Sequence, residues 1–145
     1  MTKLSAKFID TPPGTNLVFG ADFAYKQKVA SETTSGSIFT VYDTLTFNVS
    51  SSGSNAYRVN ADFVWGHNSA SNDIRVQLII DGQAERELRI EPKDPGTDQR
   101  YQNNILIYLE NLSVGNHTVE LAYRPSSASR ISRMYSSVIE SWRVA

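Results

Sequence analysis

The chain is 145 residues long, 40% hydrophobic and 20% charged, with 14 basic side chains against 15 acidic ones and no cysteine. That balance excludes a disordered chain and a nucleic-acid partner held by a broad basic field. The missing thiols exclude a disulfide framework, a cysteine nucleophile and the common zinc sites, so stability has to come from packing or from association.

In chain order, residues 1–14 carry Lys3 and Lys7 but no apolar run of signal-peptide length, and nowhere do about 18 apolar residues follow one another. Synthesis in the cytoplasm is expected, with no membrane partner. Pro12, Pro13 and Gly14 read as a hinge between an N-terminal arm, residues 1–14, and one domain over residues 15–145. Ala21 to Val29 is the one stretch with a short-helix reading. Polar loops at Ser31 to Ser37 and Ser50 to Asn55 bracket a long β-type strand from Ile38 to Val49 with mixed faces.

The clearest strand alternates Tyr57, Val59, Ala61, Phe63 and Trp65 with Arg58, Asn60 and Asp62. Ile74, Val76, Leu78 and Ile80 form the next, ending at Asp81-Gly82, a pair suited to a tight hairpin. Glu85 to Glu91 reads as a charged edge strand, and the proline-containing segment from Glu91 to Asp98 as a surface loop. Asn103 to Asn111 is apolar on both parities, as in a strand covered on two sides or lying in a subunit contact. Val119, Leu121 and Tyr123 alternate next. A last strand, Arg130 to Val144, places Met134, Val138, Trp142 and Val144 on one side and Tyr135 and Ile139 on the other. Eight or more strands separated by turn signals point to a sandwich or barrel, and their length and uneven connections favour an all-β antiparallel β-sandwich of jelly-roll topology.

Little points to catalysis, and no enzyme is expected. His67 has Ser69, Ser71 and Asp73 nearby, but a triad is defined by geometry and the nucleophile elbow is absent. The segment reads as a solvated loop in which His67 and Asn68 are candidate ligand contacts. His117 has only Glu120 near it, which faces away by strand parity, and the acids Glu91, Asp94 and Asp98 lack calcium-loop spacing. No cofactor and no metal are expected. Arg124, Arg130 and Arg133 cluster near Tyr123 and Tyr135 and read as an interface or a solvated rim. Tyr57, Phe63, Trp65, Tyr108, Tyr123 and Trp142 are expected largely at core positions. Tyr42, Tyr101 and Tyr135 are the rings to test for glycan contact.

The run LSVGNHTVELAY over residues 112–123, preceded by Ile105 to Leu109 and followed by SVIESWRV over 137–144, resembles the second half of a C1q/TNF-like jelly-roll domain of the kind found in bacteriophage virion proteins. The likeness covers about residues 57 to 144. It implies a homotrimer with the last strand near the threefold axis and a place in a virion, as a capsid decoration protein, fibre or baseplate component partnered by capsid or tail proteins. Ile105, Ile107, Tyr108, Tyr135 and Ile139 are the candidate interface residues. The alternative is a carbohydrate-binding or receptor-binding head of a tail fibre or of a secreted enzyme.

Overall fold

The computed structural model describes residues 16–19, 23–50, 53–69, 72–94 and 96–144. The arm expected over residues 1–14 lies outside them. Among the described residues nine strands follow in order: β1 (Asn16–Phe19), β2 (Phe23–Ser35), β3 (Thr40–Val49), β4 (Ala56–His67), β5 (Ile74–Ile80), β6 (Gln83–Ile90), β7 (Gly96–Glu110), β8 (Gly115–Pro125) and β9 (Ile131–Arg143).

They form a five-stranded sheet, β1-β2-β9-β4-β7, and a four-stranded sheet, β3-β8-β5-β6. All the pairings are antiparallel. Successive strands from β2 onward mostly cross between sheets, and β9 returns to lie between β2 and β4; this is the jelly-roll order that strand count and uneven connections predict. The β5–β6 hairpin turns at Asp81 and Gly82, with φ of 49° and 81°, a pair of left-handed residues that matches the twist of the flanking strands.

Alternation along each strand sends one set of side chains between the sheets. Tyr57, Val59, Ala61, Phe63 and Trp65 of β4 meet Ile74, Val76 and Leu78 of β5, Val119, Leu121 and Tyr123 of β8, and Ile105, Ile107 and Leu109 of β7. One open side of the sandwich, between β2 and β3, is closed by polar groups with apolar stems. Tyr42 OH donates to Ala30 O at 2.6 Å and Tyr123 OH donates to Glu32 O at 2.8 Å. Lys26 Nζ lies 3.0 Å from the enclosed Asp43 carboxylate, which also accepts from Ser137 Oγ at 2.7 Å. Burial drives the Tyr42 phenol up to about 12, and Tyr123 is raised further by the same cause. The opposite open side, between β6 and β7, is a groove of 690 Å³ lined by Glu85, Arg86 and Leu88 on one bank and Asn104 to Tyr108 on the other.

Several expectations fail here. The described part of Ala21 to Val29 is strand, and β2 runs on through residues expected to be loop, because pairing with β9 from Phe23 to Ser35 satisfies its backbone whatever the local composition prefers. Tyr42 is enclosed rather than an exposed ring, since β3 is bulged between Val41 and Asp43. On β9 the parity also breaks. Val64 pairs with Ser136 and Trp65 with Met134, leaving Tyr135 as an extra residue. Beyond that bulge Ser137, Ile139 and Ser141 point inward while Val138 and Trp142 point outward, and Trp142, like Tyr108, leaves the core.

Leu121 is wholly enclosed on β8, between β3 and β5. Leu121→Ala is expected to lower unfolding free energy by about 2–5 kcal/mol in urea denaturation; a loss under about 1 kcal/mol would show that the packing here is loose.

Candidate functional site

The two sheets differ on their outer faces. The four-stranded sheet presents Thr44, Thr46, Thr118, Glu120, Gln77, Arg75, Glu87 and Arg89 with the aliphatic Val41 and Ile79, and no aromatic side chain at an outward strand position among the described residues. The five-stranded sheet presents rings and amides in rows that cross β2, β9, β4 and β7. The first row is Phe23, Trp142, Arg58 and Tyr108; the second is Tyr25, Glu140, Asn60 and Leu106; the third is Gln27, Val138, Asp62 and Asn104; the fourth is Val29, Ser136, Val64 and Gln102.

Neighbouring rows knit together. The Arg58 guanidinium lies 4.8 Å from the Trp142 ring centroid. Asn104 Nδ2 donates to Asn60 Oδ1 at 3.1 Å, and Asn60 Nδ2 donates to Asp62 Oδ2 at 2.8 Å. Tyr25 OH donates to Gln27 Oε1 at 3.2 Å. Glu140 sits half-buried among these groups. Desolvation raises its pKa, the Asp62 charge adds to the rise, and Arg58 opposes it. The face therefore holds hydrogen-bonding groups in fixed positions and, at Glu140, a carboxyl poorly solvated in its charged form.

The residues singled out from sequence are placed as follows. His67 is not in a solvated loop; it ends β4 and is fully buried, with Nδ1 2.9 Å from Ser132 Oγ, and burial followed by the Arg130 charge lowers its pKa. Ser132 is equally enclosed, so this pair touches no solvent-borne substrate. Asn68 is a clip: its N–H donates to Ile131 O at 3.1 Å and its Oδ1 accepts the Ile131 N–H at 3.0 Å. Tyr101 is half-buried against Trp65, at a ring separation of 4.8 Å, and its hydroxyl accepts the Asp94 N–H and donates to Asp94 O. Trp65 therefore covers one face of the ring. Ile105, Ile107 and Ile139 point into the core, because their parity is inward on β7 and on β9 past the bulge. Such enclosed side chains have no surface for a second copy. Tyr108, 62% exposed, and Tyr135 remain outside.

Sequence reasoning missed Tyr25, Gln27, Trp142 and Glu140 as members of one face. The polar positions Arg58, Asn60 and Asp62 were visible as the outward parity of β4; their neighbours were not, because β2 reads as helix and the β9 bulge inverts the parity of its second half.

A separate polar cluster ties the β5–β6 turn to the start of β8. His117 Nδ1 meets Asp81 Oδ2 at 2.6 Å and Nε2 meets Ser113 O at 2.8 Å, while the Thr118 N–H donates to Asp81 Oδ1 at 2.8 Å. A carboxylate and a carbonyl both accept, so the ring satisfies both as the imidazolium. Desolvation works against that charge, but the bonds to Asp81 and Ser113 outweigh it and raise the His117 pKa. Desolvation likewise pushes Asp81 up, and its bonds to His117 and Thr118 win, lowering it.

No family model and no curated protein matches the chain. Among solved structures, dimeric latent PorU from Porphyromonas gingivalis aligns over 89% of this chain at 8% identity with a TM-score of 0.52. A family 35 carbohydrate binding module from an environmental isolate aligns over 94% at 13% identity and a TM-score of 0.42. The infectious bursal disease virus Gx strain aligns over 83% at 8% identity and a TM-score of 0.46. The chain spans 13% of the PorU chain, 90% of the module and 33% of the viral chain. At 8% identity, the PorU match is a likeness of fold alone.

Two pH responses follow from these environments. The raised His117 contributes stability below its unfolded pKa near 6.5 that disappears as pH climbs through the folded value, and the lowered Asp81 contributes above 3.8 and loses it as pH falls. His117→Gln is therefore expected to lower the melting temperature more at about pH 5 than at about pH 8; an equal loss at both would show an uncharged ring. Glu140, raised on folding, contributes below its unfolded pKa near 4.5 and opposes folding as pH rises through its folded value. Glu140→Gln should raise the melting temperature at neutral pH, and a fall there would mean that the carboxylate is well solvated.

Proposed function

We propose that the protein is a non-catalytic structural component of a virion, a homotrimer that decorates or stabilises a capsid or forms part of a tail, and that it self-associates through the outward face of its five-stranded sheet. The observation that carries this reading is the asymmetry of the two outer faces. Threonines, arginines and glutamates dominate one, with Val41 and Ile79 its aliphatic side chains, whereas Phe23, Tyr25, Trp142, Val138, Val64, Leu106 and Tyr108 concentrate ring and aliphatic surface on the other.

The edge strands favour the same side. β6 is guarded by Glu85, Arg86, Glu87 and Arg89, but Asn103 to Leu109 of β7 carry neither charge nor proline over seven consecutive residues. Long unguarded edges invite pairing or burial. An edge on one copy set against a face on the next is a heterologous contact, which forms a closed ring when the rotation closes. The virion assignment and the threefold number rest on the resemblance over residues 57–144, in which the last strand lies near the axis; β9 is the middle strand of the five-stranded sheet.

A glycan-binding module is the second reading, favoured by the Asn104–Asn60–Asp62 ladder lying beside the row that holds Trp142 and Tyr108.

Multi-angle light scattering distinguishes them. The full chain is expected to run as a trimer and Val138→Glu as a folded monomer, with purified particles containing the protein by mass spectrometry. A wild-type monomer that is retarded in glycan affinity gels, and released by Tyr108→Ala, would overturn the structural role in favour of glycan binding.

A further inference from the structure

Along the β6–β7 groove the core is covered on one sheet and uncovered on the next strand over. Ile74, Val76 and Leu78 of β5 are wholly enclosed, yet their register partners on β6 are not: Ile90 and Leu88 are half-buried, and Arg86, on the same inward parity, is exposed. On the other bank β7 pairs only with β4 among the described residues, so alternate N–H and C=O groups from Asn103 to Leu109 point away from the sheet. An extended segment with one apolar side would satisfy both banks at once, covering Leu88 and hydrogen-bonding along β7.

We propose that residues 3–8 of a neighbouring copy fill this groove as a strand added to the edge of β7. Those residues lie outside the described ones, and their sequence has the pattern the groove requires: Leu4, Ala6 and Phe8 alternate with Lys3, Ser5 and Lys7. Leu4 to Phe8 is five residues long, as is the Asn104 to Tyr108 bank, about 13 Å for each when extended. The charged lining residues, Glu85 and Arg86, balance each other, so recognition rests on the apolar pattern and the backbone.

The topology assigns the segment to another copy. Asn16, Lys26, Ile139, Ala61 and Ile105 form one row across the five-stranded sheet, with β1 and β7 at its two ends. A strand beyond β7 therefore lies five strand spacings, about 24 Å, from β1. A path over the outer face must also climb a side-chain layer about 5 Å deep, half the spacing of packed sheets, and descend it again. The eight steps from Phe8 to Asn16 span at most about 29 Å, too little for that route. Each copy instead lends a segment to one neighbour and receives one from another, a heterologous exchange that closes into a ring. The exchange rests on the self-association proposed above and adds an interlock to it.

Two measurements test it. A peptide of residues 1–10, titrated calorimetrically into the full chain carrying Leu4→Asp and Phe8→Asp so that its own segment does not compete, is expected to bind saturably. Adding Leu88→Glu should weaken that binding roughly tenfold at an unchanged melting temperature. In the second, benzoylphenylalanine replaces Phe8 in the full chain, and an equal mixture of isotopically heavy and light copies is irradiated; links from Phe8 to β6 or β7 of the other isotope are expected. An oligomer whose links fall within one copy, or on other strands, overturns the exchange and leaves the self-association standing. A wild-type monomer overturns the exchange and the self-association together, even if the double variant binds the peptide. Absence of saturable binding, or binding that Leu88→Glu leaves unchanged, overturns the docking of this segment in the groove.

Discussion

The pleat constrains everything else in this molecule. Because neighbouring side chains on a strand go to opposite faces, enclosing Tyr57, Val59, Ala61, Phe63 and Trp65 between the sheets obliges Arg58, Asn60, Asp62 and Val64 to stand outside, next to whatever β9 and β7 present there. The core and the outer face are thus two halves of one pattern. A one-residue slip exchanges them, and the bulge at Tyr135 is such a slip: it moves Val138 and Trp142 out and Ile139 in. The same local event assembles the aromatic rows.

Three polar clusters of the sandwich are held by specific partners. Asp43 is anchored by Lys26 and Ser137, His117 by Asp81 and Ser113, and the end of the sandwich near Asp73 by Arg89 and by the backbone bond from the Ser126 N–H to Asp73 O. Each removes a donor or acceptor that would otherwise be buried without a partner, a cost of about 1–3 kcal/mol apiece. The β2–β3 side is closed in this way by lysine and tyrosine, while the β6–β7 side is left as a groove with an uncharged strand along one bank. Both sides keep a depression, about 440 Å³ beside Lys26, Lys28 and Tyr42 and 690 Å³ between β6 and β7.

Where alternation is unbroken, the fold is legible in the residues alone. β4, β5 and β8 show clean inward and outward sets, the Asp81-Gly82 hairpin announces itself, and the count of strands leads to the jelly roll that the strand order displays. Bulges are not legible. Nothing in SRMYSSVIESW marks Tyr135 as the extra residue, so Ile139 reads as outward and Trp142 as core, and interface candidates placed by parity fall inside. β2 is obscured for another reason: Ala24, Lys26 and Lys28 on its inward parity are small or cationic, and their partners, Asp43 and the Tyr42 and Thr44 carbonyls, are brought near only by the tertiary fold. His67 looks solvated because its neighbours are polar, yet those neighbours satisfy one another and enclose it.

The proposed self-association would cover the outward face of the five-stranded sheet and the β7 edge. Hydrogen–deuterium exchange measured across a dilution series reads this directly, since association protects the backbone it buries and dissociation releases it. Amides of β7 between Asn103 and Glu110 and those of the outward rows of β9 are predicted to gain protection as concentration rises, with β6 and the outer face of β3 and β8 unchanged. Protection that is independent of concentration, or that grows on the four-stranded sheet, would contradict it.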